Sequence, residues 1–160
     1  MTGADRTGAD RTNADRTGEF GTIYSPALQR IRNLWVDLEP LVSDTGYDDI
    51  VDPTEVRIEL ADGLGDAESA RFDVQWSELG NYSYHYVDSS GVNWRFDRHS
   101  CPHSPEKHFH PPPDASTVDA EPSCISVEAV SLVTRAVHSL WRAAYDGGTL
   151  SRLNSASNPP

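Results

Sequence analysis

Two segments of the chain repeat apolar residues at the spacing of an amphipathic helix. The first, Ile23–Val42, has Ser25 as its expected N-cap, Pro26 in its first turn and Pro40 as its end. The second, Ser126–Tyr145, is followed by a glycine pair at the position where a helix C-cap is expected. The apolar positions that carry the two patterns are Leu28, Ile31, Leu34, Trp35 and Leu38, and then Val130, Val133, Val137, Leu140, Trp141 and Ala144.

Between these helices the period changes to two, which is typical of strands with one buried face. The four alternating segments are Thr54–Leu60, Arg71–Trp76, Tyr82–Val87 and Asn93–Asp97. Asp88-Ser-Ser-Gly91 joins the last two and predicts a tight hairpin turn. The acidic stretch Ser43–Asp52 predicts a linker, and residues 98–123 predict an irregular, proline-rich region. The pattern therefore predicts an α+β fold, an antiparallel four-stranded meander with an N-terminal and a C-terminal helix packed on one face.

The two ends of the chain differ in composition from this region. Residues 2–18 repeat a five-residue unit, TGADR, that has nothing to bury, so residues 1–18 are predicted to be a disordered tail. Residues 151–160 are rich in Ser, Asn and Pro and predict a flexible C-terminus. Residues 23–150 are accordingly predicted to form a single α+β domain.

The charge pattern is typical of proteins from salt-loving organisms. The net charge is −12, and the 12 arginines stand against one lysine, Lys107. A uniformly acidic surface is screened within a few ångströms at molar salt, so it does not exclude a nucleic-acid partner, and a local basic cluster becomes the informative feature. No apolar run approaches ~20 residues and the N-terminus lacks an apolar segment, so we expect a cytoplasmic protein without membrane contact.

Candidate chemistry is concentrated in Tyr82–Pro113. Five of the six histidines lie there: His85, His99, His103, His108 and His110. If Trp94 and Phe96 face the core, Arg95, Asp97 and His99 project together from the other face of the same strand. In the extended run that follows, His108 and His110 share one side, while Phe109 anchors the other and Pro111-Pro112-Pro113 stiffens the chain. This arrangement predicts that Lys107, His108 and His110 lie beside Arg95, Asp97 and His99.

Three kinds of function follow from such a cluster. Metal-free RNA cleavage needs a base, an acid and cations for the phosphorane charge, all of which histidine, arginine and lysine supply. A metal site is the second, with His103, His108 and His110, or with His108 and His110 joined by His99 and Asp97. The third is a recognition surface on a proline-flanked loop. Purely structural roles stand beside these: His85 as a cross-strand partner, Asp97 as a salt-bridge partner of Arg95, and His138 as a packing residue.

The quoted segments also resemble a known family. Tyr82-Ser-Tyr-His-Tyr-Val-Asp, Trp94-Arg-Phe-Asp97, Pro102-His-Ser-Pro105 and Lys107-His-Phe-His110 are similar to the hairpin and His/Pro loop of TumE toxins. The chain departs from the family's Pro-His-His-Lys-His type of run and has a longer acidic N-terminal helix and a distinct C-terminal helix, which leaves the identity of the reactive histidine open. The resemblance implies a toxin, with activity directed at RNA or translation, that is neutralised by a cognate DNA-binding antitoxin.

We therefore expect a toxin that cleaves RNA without a cofactor, with the antitoxin and RNA as partners. In this hypothesis His108 and His110 are the general base and acid, Lys107 and Arg95 stabilise phosphate charge, and Asp97 and His99 orient their neighbours. The alternative is a non-enzymatic interaction protein or a small metal-binding module that uses the same loop.

Overall fold

A computed structural model describes residues 20–99 and 106–155. It contains two helices and seven strands in this part of the chain. They are α1 (Ser25–Leu38), β1 (Val42–Tyr47), β2 (Val56–Leu60), β3 (Ala70–Trp76), β4 (Tyr82–Asp88), β5 (Asn93–Arg98), β6 (Lys107–His110), β7 (Glu121–Pro122) and α2 (Val130–Gly147).

The strands form one antiparallel sheet in which sequence order and spatial order coincide, from β1 to β7. The α+β class is confirmed, but the expectation of four strands is wrong because the sheet has seven. Strand β1 lies in the segment predicted to be a linker, and β6 and β7 lie in the segment predicted to be irregular. The sequence of β1 shows no alternation of apolar and polar residues, because this strand pairs with β2 alone and buries no side chain fully.

The inner face of the sheet and both helices share one hydrophobic core. The Trp35 ring of α1 lies 4.7 Å from the Phe72 ring of β3, centroid to centroid. On α2, Thr134 hydrogen bonds to the hydroxyl of Tyr84 on β4, with 2.8 Å between the oxygens. Both helices therefore cover the same face, as the sequence pattern predicts. We call the opposite face of the sheet the polar face.

Turn and cap chemistry explain where several elements end. Asp88 Oδ1 accepts hydrogen bonds from the backbone N–H groups of Ser90 and Val92, and Gly91 has a φ of +88°, so the predicted hairpin turn is confirmed. Gly148 caps α2 in the left-handed conformation. The predicted N-cap of α1 is wrong by one residue, because Tyr24 is the N-cap and Ser25 is already helical.

The segment after α2 packs against the core. Leu153, inside the region predicted to be a flexible C-terminus, is buried, and the Asn154 side chain accepts a hydrogen bond from the backbone of Cys124. Residues 1–18 lie outside the described part of the chain. No helix in the described ranges is long and apolar enough to span a membrane.

Candidate active site on the polar face of the sheet

Pairing of β5 with β6 brings the predicted residues together. Arg95 lies opposite His110, and Asp97 lies opposite His108, so all four side chains project from the polar face. Phe109 lies opposite Phe96 on the inner face and is buried there, as the alternation predicts. Together with His99, which follows β5 directly, these residues form what we call the polar-face cluster: Arg95, Asp97, His99, His108 and His110.

Asp97 is the hydrogen-bond acceptor at the centre of this cluster. Its Oδ2 accepts a hydrogen bond from Arg95 Nε at 2.7 Å, and it lies 3.2 Å from His110 Nε2. Burial alone would raise the pKa of the Asp97 carboxyl. The hydrogen bond from His110 and the positive charge of Arg95 outweigh burial, and the net effect holds the pKa below its usual value. Asp97 is therefore a carboxylate at neutral pH.

His110 has hydrogen-bond partners in both of its protonation states. Its Nδ1 lies 3.3 Å from the carbonyl oxygen of Ser116, which only accepts, so Nδ1 carries a proton. Its Nε2 lies 3.3 Å from Arg95 Nη2 as well as near Asp97 Oδ2. Neutral His110 accepts from Arg95 at Nε2, and protonated His110 donates to Asp97 from the same atom. Both ring nitrogens of His110 therefore have partners within hydrogen-bond distance.

His108 is buried, yet neither ring nitrogen has a hydrogen-bond partner among the described residues. The side chain is 5% exposed, and its ring centroid lies 5.4 Å from that of His99 and 6.2 Å from that of His110. Burial lowers the pKa of His108 below 6.5, the two neighbouring histidines lower it further, and Asp97 opposes them. His108 is therefore a neutral imidazole at neutral pH, with a free lone pair.

Arg95 and His99 are the cluster members that reach solvent. The Arg95 side chain is 31% exposed, and Asp97 fixes its guanidinium through Nε. His99 is half-buried at the end of β5, where its backbone N–H donates to the carbonyl of Glu106. Arg95 is therefore accessible to a ligand on the polar face, whereas the imidazoles of His108 and His110 are buried.

Lys107 lies outside the polar-face cluster. It lies opposite Arg98, one residue out of phase with the histidines, and therefore projects from the inner face. Its ammonium donates hydrogen bonds to the carbonyl oxygens of Ser126 and Val127, at 3.0 and 3.3 Å, and lies 3.5 Å from a Glu128 oxygen. The expectation that Lys107 lies beside the two histidines is wrong because side chains of consecutive strand residues point to opposite faces.

The remaining predictions for this region have different outcomes. His103 lies outside the described residues, so the three-histidine site remains a prediction. Within the described ranges, no group of His, Cys, Asp and Glu is arranged to hold a metal ion, and this includes His99, His108, His110 and Asp97. The proline run does not continue β6, since its last two residues lie in a turn and Pro113 accepts a hydrogen bond from the backbone of Asn93.

The tyrosines of β4 belong to the core. Tyr82, Tyr84 and Tyr86 are buried on the inner face, and burial raises the pKa of the Tyr84 hydroxyl well above its ordinary value. They are therefore unable to stack nucleic-acid bases on the polar face. His85 does project from the polar face, where its Nε2 hydrogen bonds to Asn93 Oδ1 at 3.1 Å, so its cross-strand role is confirmed.

Sequence patterns gave no sign of one contact in this site. The carbonyl of Ser116, in the loop that follows β6, fixes the His110 ring, and a backbone atom of an irregular loop leaves no residue-type pattern to detect. The sequence does predict that Asp97 and His110 lie near each other, but the direct contact between the two side chains depends on the pairing register of β5 and β6.

Comparison with known proteins gives one family. A family model described as Toxin TumE matches residues 29–146, which is most of the chain and includes the entire sheet, nearly all of α2 and the part of α1 that follows Leu28. No curated protein and no solved structure matches the chain.

Proposed function

The chain belongs to the TumE family of toxins, and on that premise we propose that it acts on RNA by metal-free acid–base cleavage at the polar-face cluster. Membership of this family implies a toxin–antitoxin system and hence an antitoxin partner. We further propose that this antitoxin binds DNA and that the toxin works in the cytoplasm, where its RNA target is found.

The observation that carries the proposal is the buried imidazole of His108, which has no hydrogen-bond partner in residues 20–99 and 106–155. A buried polar group without a partner costs about 1–3 kcal/mol of stability, so packing does not explain why a histidine stands there. Its lowered pKa keeps the ring neutral at neutral pH, which is the state that a general base requires. Such a combination of burial and a perturbed pKa is typical of functional sites.

The proposed reaction uses each cluster member once. His108 takes the proton from a ribose 2′-hydroxyl, whose oxygen forms a bond to the adjacent phosphorus. The bond from phosphorus to the 5′-oxygen breaks, and protonated His110 gives that oxygen a proton. The products are a 2′,3′-cyclic phosphate and a 5′-hydroxyl. Arg95 stabilises the charge on the phosphoryl oxygens, while Asp97 and His99 orient their neighbours.

Substrate access to the two imidazoles requires movement of neighbouring residues, since both side chains are buried. His108 and His110 are 5% and 4% exposed, and the loop that follows β6 contacts His110 through the Ser116 carbonyl. Opening of this loop would expose His110 while Arg95 and Asp97 stay fixed on β5. Lys107 takes no part in the proposed reaction, because its ammonium lies on the other side of the sheet.

The test is cleavage of a single-stranded RNA by the purified full-length chain in the presence of EDTA. We expect fragments that end in 2′,3′-cyclic phosphate and 5′-hydroxyl, and no cleavage of the same RNA with 2′-O-methyl groups. A variant that combines His108→Ala and His110→Ala should lose cleavage, and it should lose toxicity on induced expression, while its circular dichroism stays native. Full toxicity in that folded variant would rule out the assignment and favour a non-enzymatic interaction protein.

A further inference from the structure

A row of ionisable residues continues from the cluster across three more strands of the polar face. In the pairing registers, Arg57 lies opposite Asp73, Asp73 opposite His85, His85 opposite Arg95, and Arg95 opposite His110. These five residues, Arg57, Asp73, His85, Arg95 and His110, form what we call the cross-strand row. Four steps between neighbouring strands of about 4.8 Å give it a length of about 19 Å.

The far end of the row repeats the arrangement around Asp97. Asp73 accepts a hydrogen bond from Arg57 Nε at Oδ1, at 3.3 Å, and from Arg71 Nε at Oδ2, at 3.1 Å. Asp97 accepts hydrogen bonds from Arg95 Nε and His110 in the same way. In both places a carboxylate accepts a hydrogen bond from the Nε atom of an arginine.

Arg57 and Arg71 use only their Nε atoms in hydrogen bonds to the described residues. Arg57 and Arg71 are 50% and 44% exposed, and Asp73 is the only hydrogen-bond partner that either has among the described residues. Their Nη1 and Nη2 groups are therefore available, and they are the groups that form bidentate hydrogen bonds with phosphate. Asp73 balances one of these two positive charges, and the carboxyl groups of Glu55 and Glu59 lie close enough to oppose the other, so what remains for a ligand is the hydrogen-bonding capacity of the Nη groups.

The residue types on the polar face limit the class of ligand that it can bind. Over the described strands β2 to β6, the polar face carries no Phe, Tyr or Trp, so it offers hydrogen bonds and charge rather than rings for base stacking. Glu59 lies opposite Arg71, and Glu55, whose pKa is raised by burial and then by the charge of Asp73, lies at the same end. These carboxyl groups mark where the favourable surface for an anion stops.

We infer that the cross-strand row, with Arg71 beside it, is a track for the phosphodiester backbone of a single-stranded nucleic acid, and that it leads the strand into the polar-face cluster. The inference rests on the proposed function for the identity of the strand as RNA. Binding along the track is sequence-independent, because Arg57, Arg71 and Arg95 offer their contacts to phosphate rather than to bases.

The test measures the salt dependence of binding for three full-length proteins. They are the wild type, a variant with Arg57→Ala and Arg71→Ala, and a control with Arg30→Ala and Arg135→Ala, two exposed arginines on the helices that cover the inner face. Fluorescence anisotropy follows a labelled 12-nucleotide RNA and the DNA of equal sequence, at salt concentrations where circular dichroism shows all three proteins folded.

We expect the Arg57/Arg71 variant to bind both strands on the order of tenfold more weakly at ~0.1 M salt. The slope of log Kobs against log[salt] should become shallower by about 1.4, since each lost phosphate contact on a single strand contributes about 0.7. The control variant should match the wild type in both quantities. An unchanged slope and affinity in the Arg57/Arg71 variant would overturn the inference.

The two proposals fail in different ways in this experiment. RNA cleavage with an unchanged slope in the Arg57/Arg71 variant rejects the track and leaves the proposed function standing. Binding of RNA and DNA with the expected slope change, but without RNA cleavage by the wild type, supports the track and rejects the cleavage mechanism. A wild-type protein that binds neither strand contradicts both.

Discussion

Two clusters in this protein contain the same three residue types, a carboxylate, a histidine and an arginine, but they differ in what surrounds them. The helix-junction cluster, Glu39, His138 and Arg142, joins the end of α1 to α2. His138 Nε2 lies 2.9 Å from Glu39 Oε2, and Glu39 Oε1 accepts hydrogen bonds from Arg142 and from the Leu41 backbone. Every member therefore has a partner inside the cluster.

The polar-face cluster is less complete. Its Asp97–His110–Arg95 arrangement resembles the helix-junction cluster, but His108 stands beside it without a hydrogen bond to any described residue, and the Arg95 guanidinium faces solvent. Residue composition alone therefore does not distinguish a structural ion cluster from a candidate active site. The separating feature is that one buried member of the polar-face cluster, His108, has no hydrogen-bond partner within the described part of the chain.

The largest effect on stability should come from the helix-junction cluster. Glu39→Ala leaves His138, Arg142 and the Leu41 N–H without their acceptor and should lower the free energy of unfolding by about 3–5 kcal/mol. RNA cleavage per folded molecule should not change. Urea unfolding measures the first quantity, and Asp37→Ala, at an exposed acidic residue of the same helix, is the control expected to stay within about 0.5 kcal/mol. Equal losses in the two variants would contradict a structural role for Glu39.

The corresponding change in the polar-face cluster should act mainly on activity. Asp97→Asn removes the negative charge that stabilises protonated His110 and fixes Arg95, so cleavage should fall by about 100-fold or more. Stability should fall by about 1–3 kcal/mol because a buried hydrogen-bond acceptor is weakened. Single-turnover cleavage by the folded fraction checks this, and a loss of activity that merely follows the loss of folded protein would place Asp97 among structural residues.

Parts of this comparison could be predicted from the sequence. Strict alternation in β4 and β5 and in the run Lys107-His-Phe-His110 was enough to place Arg95, Asp97, His108 and His110 on one face, because period-two patterns determine the side to which a side chain points. The hairpin at Asp88–Gly91 and the helix end at Gly148 were predictable for a similar reason, since their backbone conformations favour particular residues.

The rest depends on pairing between distant segments. Strand β1 buries no side chain fully and so shows no alternation, and β7 is two residues long and contains a proline. The cross-strand row exists only through the registers of β2 to β6, and no local pattern specifies a register. Glu39 follows the last turn of α1 and precedes a proline, which is typical of an exposed helix end, yet the packing of α2 buries it.

A smaller effect is expected on the inner face. Lys107→Met removes the ammonium from the Ser126 and Val127 carbonyls and should cost about 1–2 kcal/mol of stability. Cleavage by the folded protein should stay within about threefold of wild type. Thermal unfolding and cleavage rates, measured on the same sample, distinguish this from a phosphate-binding lysine, for which activity would fall while stability held.

The smallest effect concerns pH. The pKa of His108 is lower in the folded chain than in the unfolded chain, so below about pH 6.5 the unfolded state binds more protons and the stability supplied by the neutral ring is lost as pH falls. His108→Leu should therefore reduce the loss of unfolding free energy between about pH 7.5 and 5.5. The lowered pKa of Asp97 acts in the same direction, but at the more acidic pH values where that carboxyl titrates. Identical pH profiles for wild type and variant would show that His108 does not titrate in this way.

The most direct measurement is the pair of values that His108→Leu gives at neutral pH, the free energy of unfolding and the rate of RNA cleavage. An apolar side chain of similar size has no polar atoms to satisfy, so we expect stability equal to or greater than wild type, by up to about 2 kcal/mol, together with loss of cleavage and of toxicity. A folded His108→Leu protein that cleaves RNA at the wild-type rate, or one that loses activity only in proportion to lost stability, would contradict the assignment of His108 as the general base.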